Sequence, residues 1–136
     1  MELVKDKFHM NRMANCRNEF QGEAMRVLCV CSAGLLRSPT AAVVLSQEPY
    51  NYNTRAAGLT PEFALIPVDH VLLNWADVIV CMSADQAREL SQMAPGTTVV
   101  NLDIPDQYAY RDPELMRMIA AQFNRLWYDV EDEKKV

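Results

Sequence analysis

The chain has 136 residues, 50% of them apolar, and a formal net charge of −5 at pH 7. This length and composition predict one globular domain with its own core and exclude a disordered or fibrous chain. The basic residues are scattered along the chain rather than gathered into a stripe, so nucleic acid is not an expected partner. No apolar run approaches the roughly 20 residues of a membrane span, so no membrane association is expected.

The cysteines and histidines follow neither a disulfide framework nor the spacing of metal ligands. The four cysteines are Cys16, Cys29, Cys31 and Cys81. The cysteines are therefore expected to be free thiols, and no secretory segment opens the chain. Both observations predict a cytoplasmic location. His9 and His70 have no second ligand at metal spacing, so we expect no metal ion and no cofactor.

Residues 1–24 are polar and lack sustained periodicity, which predicts a flexible N-terminal extension. The folded domain is predicted over residues 25–130, and the charged residues 131–136 are predicted to form a solvated tail. Within the domain, strands and helices alternate. Strands are predicted over residues 27–31, 53–57, 77–82 and 97–102. Helices are predicted over residues 39–47, 68–73, 84–93 and 113–128, and three of them have a predicted N-cap, at Ser38, Ser83 and Asp112.

Repeating strand–helix units predict a three-layer α/β sandwich, in which a four-stranded parallel sheet is flanked by helices. In such folds, ligands bind at the carboxyl ends of the strands. Cys31, Met82 and the loop that follows Leu102 all fall at that edge. This edge is therefore the expected place for a functional site.

The segment between the first strand and the first helix has the composition of an anion-binding loop. Residues 31–38 read Cys-Ser-Ala-Gly-Leu-Leu-Arg-Ser, and Pro39 opens the helix. The backbone N–H groups of such a loop and the positive end of the helix dipole can surround a phosphate. The residues expected to bind the phosphate in this way are Ser32, Ala33, Gly34, Leu35 and Leu36, with Gly34 supplying a positive φ at the tight turn.

The side chains that flank the loop complete the expected phosphate site. Arg37 can hold two phosphate oxygens with its planar fork. Cys31 would lie beneath the phosphorus, where a helix N-terminus and a guanidinium favour the thiolate. The hydroxyl of Ser38 is expected to donate a hydrogen bond to that thiolate. The alternative is a buried core cysteine followed by a surface arginine with no shared function.

Residues 31–39 resemble the phosphate loop of the low-molecular-weight protein tyrosine phosphatase family. The similarity extends through most of residues 26–128. It implies a four-stranded parallel sheet with helices on both faces, and hydrolysis of phosphomonoesters, above all protein phosphotyrosine, through a cysteinyl-phosphate intermediate. Two departures stand out. Leu36 replaces a second cysteine that many members carry, and Ala33-Gly34 replaces the usual Gly-Asn, so we expect a less rigid loop without redox protection and a slower reaction.

A cysteinyl-phosphate mechanism also needs a carboxyl group that protonates the leaving group and later activates water. The loop after the fourth strand offers three candidates, Asp103, Asp106 and Asp112. The family pattern, an Asp-Pro followed by aromatic residues, is matched best at Asp106, with Gln107 in place of the proline. The RNA polymerase II C-terminal-domain phosphatases have a similar Asp-Ile-x-Asp pairing with the second aspartate as the acid, which again implies Asp106. Asp103 is then expected to orient the loop, and Asp112 to cap the last helix.

Tyr108 and Tyr110 follow the expected acid closely. They could form an aromatic rim against which a phosphotyrosine ring packs, or they could cover the apolar surface of their own loop. The residues favour neither interpretation.

Two other functions remain open. The altered loop is compatible with a non-catalytic protein that binds phosphate or a phosphopeptide. Arsenate reductases use the same fold and loop, but they normally need further cysteines downstream, and here Cys81 is the only later one. The expected partner is a phosphorylated protein or a small phosphoester, and the chain is expected to be a monomer or a weak dimer.

Overall fold

A computed structural model describes residues 24–32, 37–60, 62, 64, 66–105, 107 and 111–128. The predicted N-terminal extension up to residue 23 and the predicted tail at 131–136 lie outside these residues.

Strands and helices alternate throughout the described part of the chain. The strands are β1 (Arg26–Cys31), β2 (Asn53–Gly58), β3 (Val78–Cys81) and β4 (Thr98–Asn101). The helices are α1 (Arg37–Ser46), α2 (His70–Trp75), α3 (Ala84–Met93) and α4 (Pro113–Phe123), and a π-helical turn at Asn124–Tyr128 continues α4. None of the described helices has the length and apolar character needed to cross a membrane.

The four strands form one parallel sheet in the order β2-β1-β3-β4. After β1 the chain forms β2 at one edge of the sheet. It then returns to form β3 on the other side of β1, and β4 forms the opposite edge. The loops that leave β1 and β3 therefore diverge, which opens a crevice at their carboxyl ends. Cys31, the last residue of β1, lies beside Gly58 of β2 in the register. The predicted three-layer α/β sandwich is confirmed.

The core consists of two apolar layers, one on each face of the sheet. Helices α1 and α4 cover one face, where Cys29, Cys31 and Met82 are buried together with Phe123. Helices α2 and α3 cover the other face, where Cys81 is buried. Alternate residues of a strand face opposite sides of a sheet. Cys81 directly precedes Met82, which shares a layer with Cys31, so Cys81 faces the other layer.

Most element boundaries differ from the predicted ones by one or two residues, and one of these shifts changes a predicted role. Helix α1 begins at Arg37 rather than Pro39, so Ser38 lies inside the first turn and the prediction that it is an N-cap is wrong. Helix α2 begins two residues late because Asp69 caps it, accepting a hydrogen bond from the backbone N–H of Leu72 at 2.8 Å.

The other two predicted caps are confirmed. The hydroxyl of Ser83 accepts a hydrogen bond from the backbone N–H of Gln86 at 3.3 Å and starts α3. The carboxylate of Asp112 accepts from the backbone N–H of Glu114 at 2.8 Å and starts α4.

Candidate active site

Cys31 lies at the end of β1, where the strand meets the first turn of α1. Its side chain is buried, with 3% of its surface exposed. The thiol donates a hydrogen bond to the Oγ of Ser38 at a sulfur–oxygen distance of 3.2 Å. The Ser38 hydroxyl in turn donates to the backbone carbonyl of Ala57 in β2 at 3.4 Å. The contact between Cys31 and Ser38 thus depends on β1, β2 and α1 together.

This geometry suits both protonation states of the sulfur. The thiol donates to Ser38, as described. A thiolate only accepts, and the Ser38 hydroxyl can rotate about its C–O bond to donate to it. That rotation gives up the bond to the Ala57 carbonyl, which at 3.4 Å is long for an O–H···O bond and therefore weak. Ser38 can accordingly stabilise a negative charge on Cys31 at small cost.

Arg37 places a cation in the first turn of α1, next to Ser38 in the chain. The residue is 7% exposed. Its Nη1 donates to the backbone carbonyl of Ile104 at 2.8 Å, across 67 residues of sequence. The backbone N–H of Ile104 donates to the Met82 carbonyl at 3.0 Å, so the segment after β4 is itself tied to the end of β3. The guanidinium is therefore held in one place by the sheet edge.

Ser32, the first residue after β1, is held by hydrogen bonds from two other segments of the chain. The backbone N–H of Thr60 donates to the Ser32 carbonyl at 2.8 Å, which ties it to the segment after β2. On its other side, the Nε2 of Gln86 in α3 donates to the Ser32 hydroxyl at 3.2 Å. The same glutamine accepts, through Oε1, the backbone N–H of Met82 at 2.8 Å.

Gln86 is the functional candidate that the sequence analysis missed. The sequence Ser83-Ala-Asp-Gln86 does match a capping box, in which the glutamine reaches back to the backbone N–H of the capping residue. Here its side chain reaches one residue further, to Met82, and has a nitrogen left for Ser32. The capping-box spacing was the available signal, but it does not reveal the contact with Ser32.

Several predicted site residues lie outside the described part of the chain. They are Ala33, Gly34, Leu35, Leu36, Asp106, Tyr108 and Tyr110. Of the predicted site, the structure places Cys31, Ser32, Arg37 and Ser38 at the carboxyl edge of the sheet, where Cys31 and Ser38 are in contact.

The described residues around the predicted acid show how its loop is attached. The loop begins near Ile104, which accepts from Arg37, and it ends at Arg111, whose backbone N–H donates to the Thr40 hydroxyl in α1 at 2.9 Å. Both ends therefore contact helix α1, which also carries Arg37 and Ser38. Asp103 is exposed, in the left-handed region with φ 55°, and its backbone N–H donates to the Asn101 side chain at 2.8 Å.

The other thiols of the described residues are buried in the core, Cys29 in the same layer as Cys31 and Cys81 in the opposite one. Cys29 and Cys81 are both 0% exposed and, like Cys31, are not in disulfides. Burial raises the pKa of the Cys81 thiol to about 11, so this thiol is neutral at physiological pH. Among the described residues, no group of three or more histidine, cysteine or acidic side chains is arranged to hold a metal ion.

Comparison with solved structures shows the fold. No protein-family model and no curated protein sequence matches the chain. The arginine phosphatase YwlE from Geobacillus stearothermophilus superposes with a TM-score of 0.59 at 18% identity, covering 81% of this chain and 95% of its own. The tyrosine phosphatase Wzb from Escherichia coli K30 gives 0.59 at 16% identity, covering 75% and 95%. A thioredoxin-dependent arsenate reductase from Corynebacterium glutamicum gives 0.55 at 18% identity, covering 97% and 73%.

At these identities the likeness establishes the architecture. The chain has the low-molecular-weight tyrosine phosphatase-like fold, in a divergent form. The fold implied by the resemblance of residues 31–39 is therefore confirmed.

Proposed function

We propose that this protein is a phosphatase that hydrolyses phosphomonoesters, with protein phosphotyrosine as its substrate, through a phosphorylated Cys31. The observation that carries the proposal is the contact between Cys31 and Ser38, with the buried Arg37 cation in the same helical turn as Ser38. A nucleophile, a donor that stabilises its anion and a guanidinium for phosphate oxygens are the parts that phosphoryl transfer to sulfur requires.

In the first step, the Cys31 thiolate attacks phosphorus and the bond from phosphorus to the ester oxygen breaks. The carboxylic acid of Asp106 gives its proton to that oxygen, so a neutral phenol or alcohol leaves. Arg37 and the N–H groups of the loop hold the three equatorial oxygens, where they stabilise the charge of the transition state. The products of this step are the alcohol, the Asp106 carboxylate and a phosphocysteine.

In the second step, water attacks the phosphocysteine. The Asp106 carboxylate takes a proton from the water, and the bond between sulfur and phosphorus breaks. The sulfur leaves as a thiolate, which the Ser38 hydroxyl stabilises by turning away from the Ala57 carbonyl. Inorganic phosphate departs, and Asp106 is again protonated for the next cycle.

The assignment of the acid to Asp106 rests on the family pattern and is supported by its described surroundings. Its loop contacts α1 near both ends, at Ile104 and Arg111. The carboxylate of Asp112 caps α4 by accepting the backbone N–H of Glu114. Asp103 stays a weaker candidate for the acid, exposed at the end of β4.

Phosphotyrosine is the proposed substrate because Tyr108 and Tyr110 follow Asp106 and can supply an aromatic rim. The structural neighbours include both an arginine phosphatase and a tyrosine phosphatase, so phosphoarginine is the natural competitor in a substrate panel.

Arsenate reduction is a poorer fit to the described thiols. A cascade of disulfide exchange would need a second thiol that can reach the first. Cys81 is fully buried in the core layer on the opposite face of the sheet from Cys31, and it is neutral at physiological pH.

Turnover of phosphopeptides by matched cysteine variants tests the proposal. We expect the wild type to release phosphate from p-nitrophenyl phosphate and from a phosphotyrosine peptide faster than from phosphoserine, phosphothreonine or phosphoarginine peptides. Cys31→Ser should lose about 10³-fold or more of kcat, because the weaker nucleophile lacks a base strong enough to activate it. Cys29→Ser, on the same face two residues earlier, is the matched control and should keep its activity.

The same assay decides which carboxyl is the acid. Asp106→Asn should lower kcat by ~10²- to 10⁴-fold, and Asp103→Asn should change it little. Full activity of Cys31→Ser would refute the proposal. Binding of phosphate without any turnover by the wild type would instead identify a non-catalytic phosphate-binding protein.

A further inference from the structure

A buried glutamine links the two strand ends that border the crevice of the sheet. Gln86 is 6% exposed, and both ends of its side-chain amide are used. Its Oε1 accepts the Met82 N–H after β3, and its Nε2 donates to the Ser32 hydroxyl after β1. Because the backbone N–H can only donate, it fixes the orientation of the amide, so the nitrogen must face Ser32.

Met82 extends this link to the other end of the phosphate loop. Its N–H donates to Gln86, and its carbonyl accepts from the Ile104 N–H, whose own carbonyl accepts from Arg37. A continuous chain of hydrogen bonds thus runs from Ser32 to Arg37 outside the loop. Ser32 and Arg37 are the residues that immediately flank residues 33–36.

We propose that Gln86 is a positioning residue for phosphate binding, which it promotes by holding Ser32 and thereby the first residue of the phosphate loop. The proposal rests on the proposed function to the extent that the loop binds phosphate. A loop whose ends are fixed has less conformational freedom to lose when its N–H groups close around an anion. Arg37 fixes one end through Ile104, and Gln86 fixes the other through Ser32.

Calorimetric titration with inorganic phosphate tests this role without requiring turnover. Gln86→Met keeps the length of the side chain and removes both hydrogen bonds. We expect its dissociation constant for phosphate to rise about tenfold, which corresponds to ordering the backbone of about one more residue on binding. Gln86→Asn, which is one methylene too short to reach both partners, should shift the constant in the same direction and provides a second polar variant if the methionine variant fails to fold.

A double-mutant cycle with Ser32→Ala shows whether Gln86 acts through Ser32. In the Ser32→Ala background, substitution of Gln86 should cause no further loss of phosphate affinity, since the contact is already gone. Gln92→Met, at an exposed position of the same helix, is the matched control and should bind phosphate like the wild type. A merely structural role would lower the melting temperature and leave the phosphate affinity of the folded protein unchanged.

The proposal is overturned if Gln86→Met and Gln86→Asn bind phosphate as tightly as the wild type, or if the loss is equally large in the Ser32→Ala background. It is also overturned if the wild type does not bind phosphate. Its outcome is separate from that of the proposed function. A wild type that binds phosphate but turns over no ester would contradict the phosphatase and leave the role of Gln86 standing.

Discussion

At the scale of single residues, Arg37 has two roles that depend on the same guanidinium. Its Nη1 holds the Ile104 carbonyl at 2.8 Å and so fixes the start of the loop that carries the predicted acid. In the proposed mechanism, the same group neutralises the charge on the transferred phosphate. A planar guanidinium offers five donors in a rigid fork, which lets it bind on more than one side at once.

Replacement of Arg37 by lysine separates its charge from its shape. Arg37→Lys keeps the positive charge but loses the fork, so it can neither clamp two oxygens nor hold Ile104 in the same geometry. We expect kcat/KM to fall by about 10²-fold or more, as when a donor to a transition-state oxyanion is removed. Steady-state kinetics against p-nitrophenyl phosphate measure this, with Arg88→Lys on the exposed face of α3 as the control. If Arg37→Lys were as active as the wild type, the positive charge alone would be enough for catalysis, and the proposed role of the planar guanidinium would be wrong.

The sequence could predict the contact between Cys31 and Ser38 because the two residues are close neighbours in the chain. Cys31 and Ser38 are seven positions apart and meet because a strand turns directly into a helix. The link from Gln86 to Ser32 spans 54 positions and depends on the order of the strands, which spacing within one segment does not contain. For that reason the sequence could predict the contact of Ser38 with Cys31 and could not predict the contact of Gln86 with Ser32.

At the scale of elements, helix α4 is fixed to the rest of the domain by Phe123. Its ring is 0% exposed. It makes an edge contact with Tyr50 at a centroid distance of 5.6 Å and stacks against Trp127 at 6.0 Å. Leu115, Ile119 and Phe123 recur at helical spacing and so share one face of α4, and all three are buried.

Truncation of Phe123 should destabilise the fold without touching the chemistry. We expect Phe123→Ala to lose ~3 to 5 kcal/mol of the free energy of unfolding, from the removed apolar surface and the cavity left behind. The exposed Arg117→Ala on the same helix should change it by less than about 0.5 kcal/mol. Urea denaturation measures both. Equal stability of the two variants would mean that the aromatic cluster contributes little to the attachment of α4.

Element boundaries were less predictable than the elements themselves. Proline at the first helical position is a strong start signal, and it placed the beginning of α1 at Pro39. The helix starts two residues earlier because Arg37 and Ser38 are drawn into it by contacts with Ile104 and Cys31, which are tertiary. Tertiary contacts shifted this terminus, and the shift gives Ser38 a contact with the cysteine in place of a cap.

At the scale of the whole molecule, the order of the strands determines which loops meet. Placing β1 and β3 side by side in the centre brings the loops after them to one crevice, and the next strand, β4, adds the segment that holds Ile104. The alternation of strands and helices was enough to predict the sheet and its three layers. It did not predict the hydrogen bonds that join Ser32, Gln86, Met82, Ile104 and Arg37 across the sheet edge.

The central claim is that Cys31 carries the phosphoryl group during the reaction. Rapid acid quenching of the wild type during turnover of p-nitrophenyl phosphate, followed by proteolysis and mass spectrometry, tests it most directly. We predict a phosphoryl group on the peptide that contains Cys31, which appears within the first turnover and disappears when the substrate is exhausted. Turnover with phosphate never found on Cys31, or found on another residue with the same kinetics, would contradict the account.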